Sequence, residues 1–470
     1  MADIEIALNR FGLGWKAGEA SPANPQRWLV DQIARYDPAP AAIVVLPRTP
    51  EQIGKLSALQ LARQERRQDR AEAAKDAAMA PAVQPRNEAQ LLKPLRDSYV
   101  QAAGTRMAQA VATDTPFMER LVAFWSNHFA VSIDKAAVVG LAGTFENEAI
   151  RPHINGKFSD LLFAAVRHPA MLLFLDQAQS IGPNSLLGQR AQRRGAERQP
   201  GINENLAREI MELHTLGVRS GYTQADVTEF AKALTGTTVT GLGRLARLLP
   251  YDSGRAAFVE QLHEPGARMV MGQRYPQAGE AQGRAILNDL AAHPATARHV
   301  ATKLARHFAA DDPPPALVAR LEQVYLKTGG DLPSLYRALI ESPEPWSNPG
   351  AKFRQPWEWL VAVQRATGLS TPAQGGQFSL NQLGQPTWRP GSPAGWDDLA
   401  ASWAAPDALL RRVELANRYA RSLATLDSRA LAPKLFPESL SDATRTAVAR
   451  ADSGQQALAL LLVSPEMLRR

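Results

Sequence analysis

The sequence predicts a mainly α, multi-helix, two-lobed globular protein with a few short β segments, and three observations predict it. Apolar residues recur at three- and four-residue spacing along most of the chain, while β-like patterns are confined to short pieces between Val239 and Arg274. Hydrophobic residues make up 45% and charged residues 21% of 470 positions, the balance of a globular chain with room for a large core. Helix starts are marked at Asn24-Pro25, Thr115-Pro116 and Thr223-Gln224-Ala225-Asp226. The pattern weakens after Gly236, which places one lobe over about 1–240 and a second over about 241–470.

In chain order, a first unit runs from Ile4 to Tyr36 and holds Leu8-Asn9-Arg10-Phe11-Gly12. A helix from Glu51 to Lys75 follows, charged on nearly every face beyond Arg63, and Pro81, Pro85 and Pro94 punctuate what comes next. A helix so polar buries little, so the stretch at about 58–92 reads as a solvated helical insertion with a flexible elbow. From Pro116, the residues Phe117, Leu121, Phe124 and His128 share one helical face. Then come Phe145-Glu146-Asn147-Glu148, Arg151-Pro152-His153, an apolar helix from Phe158 to Phe174, and a loop from Asp176 to Gln199 rich in Gly, Pro, Ser and Arg. After the β-like pieces, helices resume from Gly279 and include Arg298-His299-Val300-Ala301-Thr302-Lys303-Leu304. A Pro/Gly/Trp-rich region, Gly384 to Trp403, precedes terminal helices.

The composition excludes several function classes. There is no cysteine, which removes disulfides, thiolate catalysis, iron–sulfur clusters and cysteine-ligated zinc. Any metal site must be built from His, Asp and Glu, and there are only eight histidines. A net charge of +7 permits nucleic-acid binding, but no nucleic-acid-binding signature accompanies it, so that class is not favoured. No apolar run reaches membrane-spanning length, and Met1-Ala2-Asp3-Ile4-Glu5-Ile6 has acids where a signal peptide needs positive charge. As written, the chain reads as cytoplasmic, with no membrane partner.

The most informative stretch is Asn203-Glu204-Asn205-Leu206-Ala207-Arg208-Glu209-Ile210-Met211-Glu212-Leu213-His214-Thr215-Leu216-Gly217. At 100° per residue, Leu206, Ile210 and Leu213 form a buried stripe, while Asn205, Glu209 and Glu212 share another face. Glu209 and Glu212 are three apart, so their carboxylates can converge on one ion or one proton. Two such charges need neutralising by a metal, a cation or protonation. His214 points about 140° from Glu209, so the run is neither a Glu-x-x-His di-iron helix nor a His-Glu-x-x-His zinc helix.

Glu209, Glu212 and His214 are therefore the candidate acid/base residues, and His128, Glu209, Glu212 and His263 the candidate ligands of a divalent metal. His214 would act behind those ligands or as a helix-end cation. A structural reading stands beside this one: His214 bonds helix-end carbonyls, Gly217 supplies a left-handed cap, and Glu209 pairs with a cation such as Arg151. His263-Glu264-Pro265-Gly266 reads as a loop, where function is more common than in a core helix, and His153, His168, His293, His299 and His307 read as surface or packing residues.

Taken together, Leu8 to Gly12, Phe124-Trp125-Ser126-Asn127-His128-Phe129, Asn203 to Gly217, Gly221-Tyr222-Thr223, His293 to Ala297, Lys352-Phe353-Arg354-Gln355-Pro356 and Gly395-Trp396 resemble the bacterial family catalogued as domain of unknown function 1800. The resemblance covers nearly the whole chain. It implies a mainly helical fold and brings no assigned reaction. It also implies a partner, because genes of the family commonly sit beside one for the family of domain of unknown function 1501. That neighbour resembles the alkaline phosphatase and sulfatase fold and often carries a twin-arginine export signal. Relatives often have Trp after Leu-Thr-Gly, where this chain has Thr237, so any role of that ring is absent.

The expectation is thus a helical protein with a polar site between the helices bearing His128 and Glu209/Glu212, acting as a metal- or acid/base-dependent enzyme of hydrolytic or oxidative type. The alternative is a non-enzymatic partner of a neighbouring exported phosphatase/sulfatase-like protein, reaching the periplasm by co-export.

Overall fold

Helices begin where the sequence marks them. Asn24 accepts a hydrogen bond from the Arg27 backbone N–H (3.0 Å) at the head of Pro25–Arg35. Pro116 opens Pro116–His128, although Thr115 gives no side-chain cap. Thr223 and Asp226 form a reciprocal capping box at the start of Gln224–Leu234. The computed structural model describes residues 2–73, 88–193, 201–242, 254–369, 373–423 and 425–470. It is mainly α. Among the described residues strands are confined to two antiparallel pairs, Thr237–Val239 with Ala256–Phe258 and Arg268–Val270 with Gln273–Tyr275. Thr237 pairs with Phe258.

Some elements differ from expectation, each for a local reason. The apolar run from Phe158 to Phe174 is two helices, Phe158–Arg167 and Pro169–Phe174. Pro169 forces His168 to an extended ψ of 137°, and the His168 ring then accepts from the Ala170 N–H as the cap of the second helix. His293 before Pro294 does the same for Pro294–Phe308, accepting from Ala295 N–H. The expected loop from Asp176 holds a helix, Leu186–Arg193, whose Gly188 N–H donates to Ser185 Oγ. The insertion begins as the far end of Thr49–Ala73, which anchors itself through Ile53, Leu56 and Leu59. The chain returns as Glu88–Ala112. The elbow expected between them, 74–87, lies outside the described residues.

Two apolar clusters form the interior. The larger gathers residues from Ile6 to Ile340, with Trp388, so both sides of position 240 contribute to it. The second is built mainly by Pro356–Thr367, Pro406–Ser422 and Gly454–Leu462, through residues such as Trp359, Leu360, Leu415, Tyr419 and Leu462. Pro356–Thr367 is buried on nearly every face, with Glu358, Gln364 and Arg365 buried among its apolar residues. Leu13, Met107 and Ala110 also belong to this cluster, so the N-terminal segment reaches both cores. No helix among the described residues is long and apolar enough to cross a membrane.

Candidate functional site

The signature stretch starts as an α-helix, Asn205–Glu209, and continues as a π-helical turn, Ile210–His214. A π turn takes up more residues than an α turn, so the 100° register holds only as far as Glu209. The consequence falls on His214, which is 1% exposed. Two other π turns, Ala7–Phe11 and Glu146–Ile150, likewise bury a polar side chain, Arg10 and Glu146.

The end of the signature helix is held by histidines, though not by its own. His128 and His299 donate from Nε2 to the carbonyls of His214 (3.1 Å) and Leu213 (3.0 Å). The ring of His214 bonds neither carbonyl, and both its nitrogens are buried without a partner among the described residues. Gly217 closes the helix as expected, at φ +88° with its N–H on Met211 O; a Cβ there would press on His299 Nδ1. The three rings lie together, with the His128 centroid 6.2 Å from His214 and 6.1 Å from His299. Burial, then the Lys303 charge, holds all three neutral: His214 is pushed down to about 3, His299 to about 4, and His128 well below its ordinary value.

The expected metal donors are not gathered in one place. Among the described residues no group of three or more His, Asp or Glu has the spacing to hold a metal ion. Glu209 and Glu212 are half-buried, and Glu209 is raised by burial and by its neighbour Glu212. The nearby cation is Arg208 of the same helix, 3.8 Å from Glu212 and 3.1 Å from Glu204. Arg151, expected as a partner for Glu209, is fully buried and forks onto Glu119 instead. His263 bonds the Thr235 carbonyl (2.9 Å) in the turn after Gln224–Leu234.

What lies beside His128 is a cavity of about 410 Å³ where the two clusters meet. Pro116–His128 contributes Arg120, Phe124, Asn127 and His128. Pro294–Phe308 contributes Lys303, Arg306 and His307. The head of Pro356–Thr367 gives Trp357 and Glu358, preceded by Gln355, and the loop from Ser392 closes the wall with Gly395, Trp396, Asp397 and Asp398. Gly395 is required here: at φ +82° it sits against the Asn127 carbonyl, where a Cβ would collide. Asn127 then fastens the loop, donating to Trp396 O (2.8 Å) and accepting from Trp396 N–H (2.7 Å).

Within this wall, His307 Nδ1 and Asp398 Oδ2 are 2.7 Å apart. Gln355 Nε2 donates to the other Asp398 oxygen (3.2 Å), with Lys352 at 3.7 Å and Arg470 at 3.9 Å. Burial alone would raise Asp398, but His307, Lys352 and Arg470 outweigh it and hold the carboxyl far below the usual range. Glu358 is likewise held at about 2 by Arg470 and Arg120 against the push of burial. Lys352 is locked onto Asp311 (2.5 Å) and the Asp398 carbonyl. His307 itself is lowered, because burial wins over the attraction of Asp398.

Sequence reasoning set aside His299 and His307 and did not reach Lys303, Arg306, Asp398 or Glu358 as site residues. One signal was present. His299, Lys303, Arg306 and His307 stand at i, i+4, i+7 and i+8, a basic stripe on one face of the helix. The pairing of His307 with Asp398 spans 91 positions and carries no local signature.

Several segments behind the expected family resemblance meet here: Asn127-His128, the end of the signature helix, Lys352 to Gln355, and Gly395-Trp396. Neither the curated proteins nor the solved structures include a match to this chain. A family model does match it, over residues 6–469, and the chain belongs to that family, described as protein of unknown function (DUF1800).

Proposed function

We propose that the protein is an acid/base enzyme acting on a small molecule in the cavity, with His307 as the proton acceptor and Asp398 as the residue that orients it. The observation that carries this reading is the 2.7 Å contact between His307 Nδ1 and an ionised, half-buried Asp398 in the cavity wall. Donation of Nδ1–H to Asp398 fixes one tautomer and leaves the Nε2 lone pair as the basic site. Arg120 Nη1 lies 3.5 Å from Nε2, too long to occupy it fully. Burial keeps the ring neutral and ready to take a proton, and Asp398 stabilises the imidazolium once formed.

The test is depletion of a small molecule from a cell extract by the purified protein. Consumption by the wild type that is lost in His307→Gln and Asp398→Asn supports the reading. Equal consumption by the variants, or none by any protein, counts against it. A role as partner of a neighbouring family 1501 protein rests on the gene pairing of relatives, and co-expression with affinity capture tests it.

A further inference from the structure

We propose that the ligand of this cavity carries an oxyanion, a carboxylate or a phosphate, held jointly by Lys303 and Arg306. This names the substrate class of the acid/base site; it rests on that reading for what is turned over but not for what is bound.

The charges around the cavity do not balance among themselves. Glu358 and Asp398 in the wall, and Asp311 behind it, are already matched. Glu358 bonds Arg120 and Arg470, Asp398 holds His307 and lies near Lys352 and Arg470, and Asp311 takes Lys352. Two cations are left over. Lys303 lines the cavity, half-buried, and its Nζ makes no hydrogen bond or ion pair among the described residues. Arg306 gives only Nε to the protein, to Asp311 O (3.2 Å), and its two terminal nitrogens have no partner among the described residues. Asp397 does not answer them: it is exposed at the rim and accepts from Ser402 Oγ.

The surroundings sharpen the preference. His128, His214 and His299 face Lys303 as neutral rings, so they neither compete for an anion nor supply one. Phe124, Trp357 and Trp396 make part of the wall apolar, which strengthens any charge interaction inside it. Lys303 feels the Asp398 charge but has no hydrogen-bonded counter-ion, and an anion from solution that bonds it offsets the cost of its burial. Lys303 and Arg306 are three apart on one helix, so an ammonium and a guanidinium edge can converge on one oxyanion.

The experiment is calorimetric titration of the full chain with inorganic phosphate and, separately, with malonate, at constant ionic strength with chloride as the balancing salt. Saturable binding of at least one probe at one site is expected, and which probe binds more tightly separates phosphate from carboxylate chemistry. Lys303→Met and Arg306→Gln should each weaken it by about tenfold or more, the worth of one charge-assisted hydrogen bond. Lys303→Arg should retain it, which guards against a loss caused by misfolding. Arg298→Gln, an exposed site on the same helix, should leave binding unchanged. Failure of both probes to bind, binding unaltered in Lys303→Met, or equal weakening by Arg298→Gln overturns the proposal. His307→Gln should still bind the anion. Binding that survives there while turnover is never found sinks the acid/base reading alone; turnover without anion binding sinks this one alone.

Discussion

Acid should destabilise this protein below about pH 6.5, well before its buried carboxylates titrate. Five histidines, His128, His168, His214, His299 and His307, are held below their ordinary value chiefly by burial. In the unfolded chain each takes up a proton near pH 6.5. In the folded protein His299 waits until about 4 and His214 until about 3. Between those limits the unfolded state binds more protons, so stability is complete above about pH 6.5 and falls as pH drops toward the folded values. From about pH 7 to 5 each such histidine costs about 2 kcal/mol, so His214 and His299 together cost about 4 kcal/mol. That is a large share of the ~5–15 kcal/mol that holds a typical domain together. Glu358, at about 2, and Asp398, lower still, contribute nothing in this window. The assay is urea denaturation at pH 7, 6 and 5, followed by circular dichroism. His214→Leu should flatten the pH dependence by about 2 kcal/mol over that span. It should cost little at pH 7, because it also removes two buried nitrogens that have no partner. A midpoint that does not move between pH 7 and 5, or a slope unchanged in His214→Leu, refutes the reasoning.

Other outcomes follow from single contacts. Glu119→Gln leaves the fully buried Arg151 without its matched charge and should cost about 3–5 kcal/mol in a denaturant titration, whereas a Glu119→Leu/Arg151→Met double variant should recover much of the loss. Gly395→Ala should lower stability by about 1–3 kcal/mol and weaken malonate binding, because its Cβ drives the Trp396–Asp398 loop off Asn127; calorimetry on the variant checks both together with a melt. Glu209→Gln should change stability by less than about 0.5 kcal/mol or increase it, since the carboxylate is raised by burial and by Glu212; a clear loss of stability would show a partner the structure does not place there. Malonate binding should weaken as pH rises through about 8, where Lys303 loses its proton because burial lowers it, with Asp398, Arg306 and the neutral rings of His128, His214 and His299 as the groups that face it; affinity that stays level across that range would exclude Lys303 as the binding cation.

The helices were legible because their signals are local: Asn24 caps, Pro116 opens, Thr223 and Asp226 cap reciprocally, and the β-like pieces fell where strands form. His128 was expected to share a site with Glu209 and Glu212, and its Nε2 meets the carbonyl of His214 at the end of the same helix. What failed was geometry that depends on the count of residues per turn. The step assumed for His214 holds for an α-helix, and Ile210–His214 is a π turn. A cation for Glu209 was sought on a distant segment, in Arg151, when the nearby cation is Arg208 of the same helix, 3.8 Å from Glu212. Asp398 was invisible for another reason: nothing in Gly395-Trp396-Asp397-Asp398 announces that one of two adjacent acids turns inward to His307 while the other stays in solvent.

The buried Arg10 has a consequence for how the chain is made. It donates to the carbonyls of Pro345, Ser347 and Asn348, while Arg354 reaches back to Asn9 and Arg365 to the Gly14 carbonyl. These bonds join residues 9–14 to segments translated tens of seconds later. Until those segments emerge, the Ala7–Phe11 turn has no acceptors for its guanidinium and Arg120 has no Glu358. The cavity is therefore completed only after synthesis has passed these residues. A nascent chain stalled short of Glu358 would leave Arg120 without the acid that matches it in the finished fold.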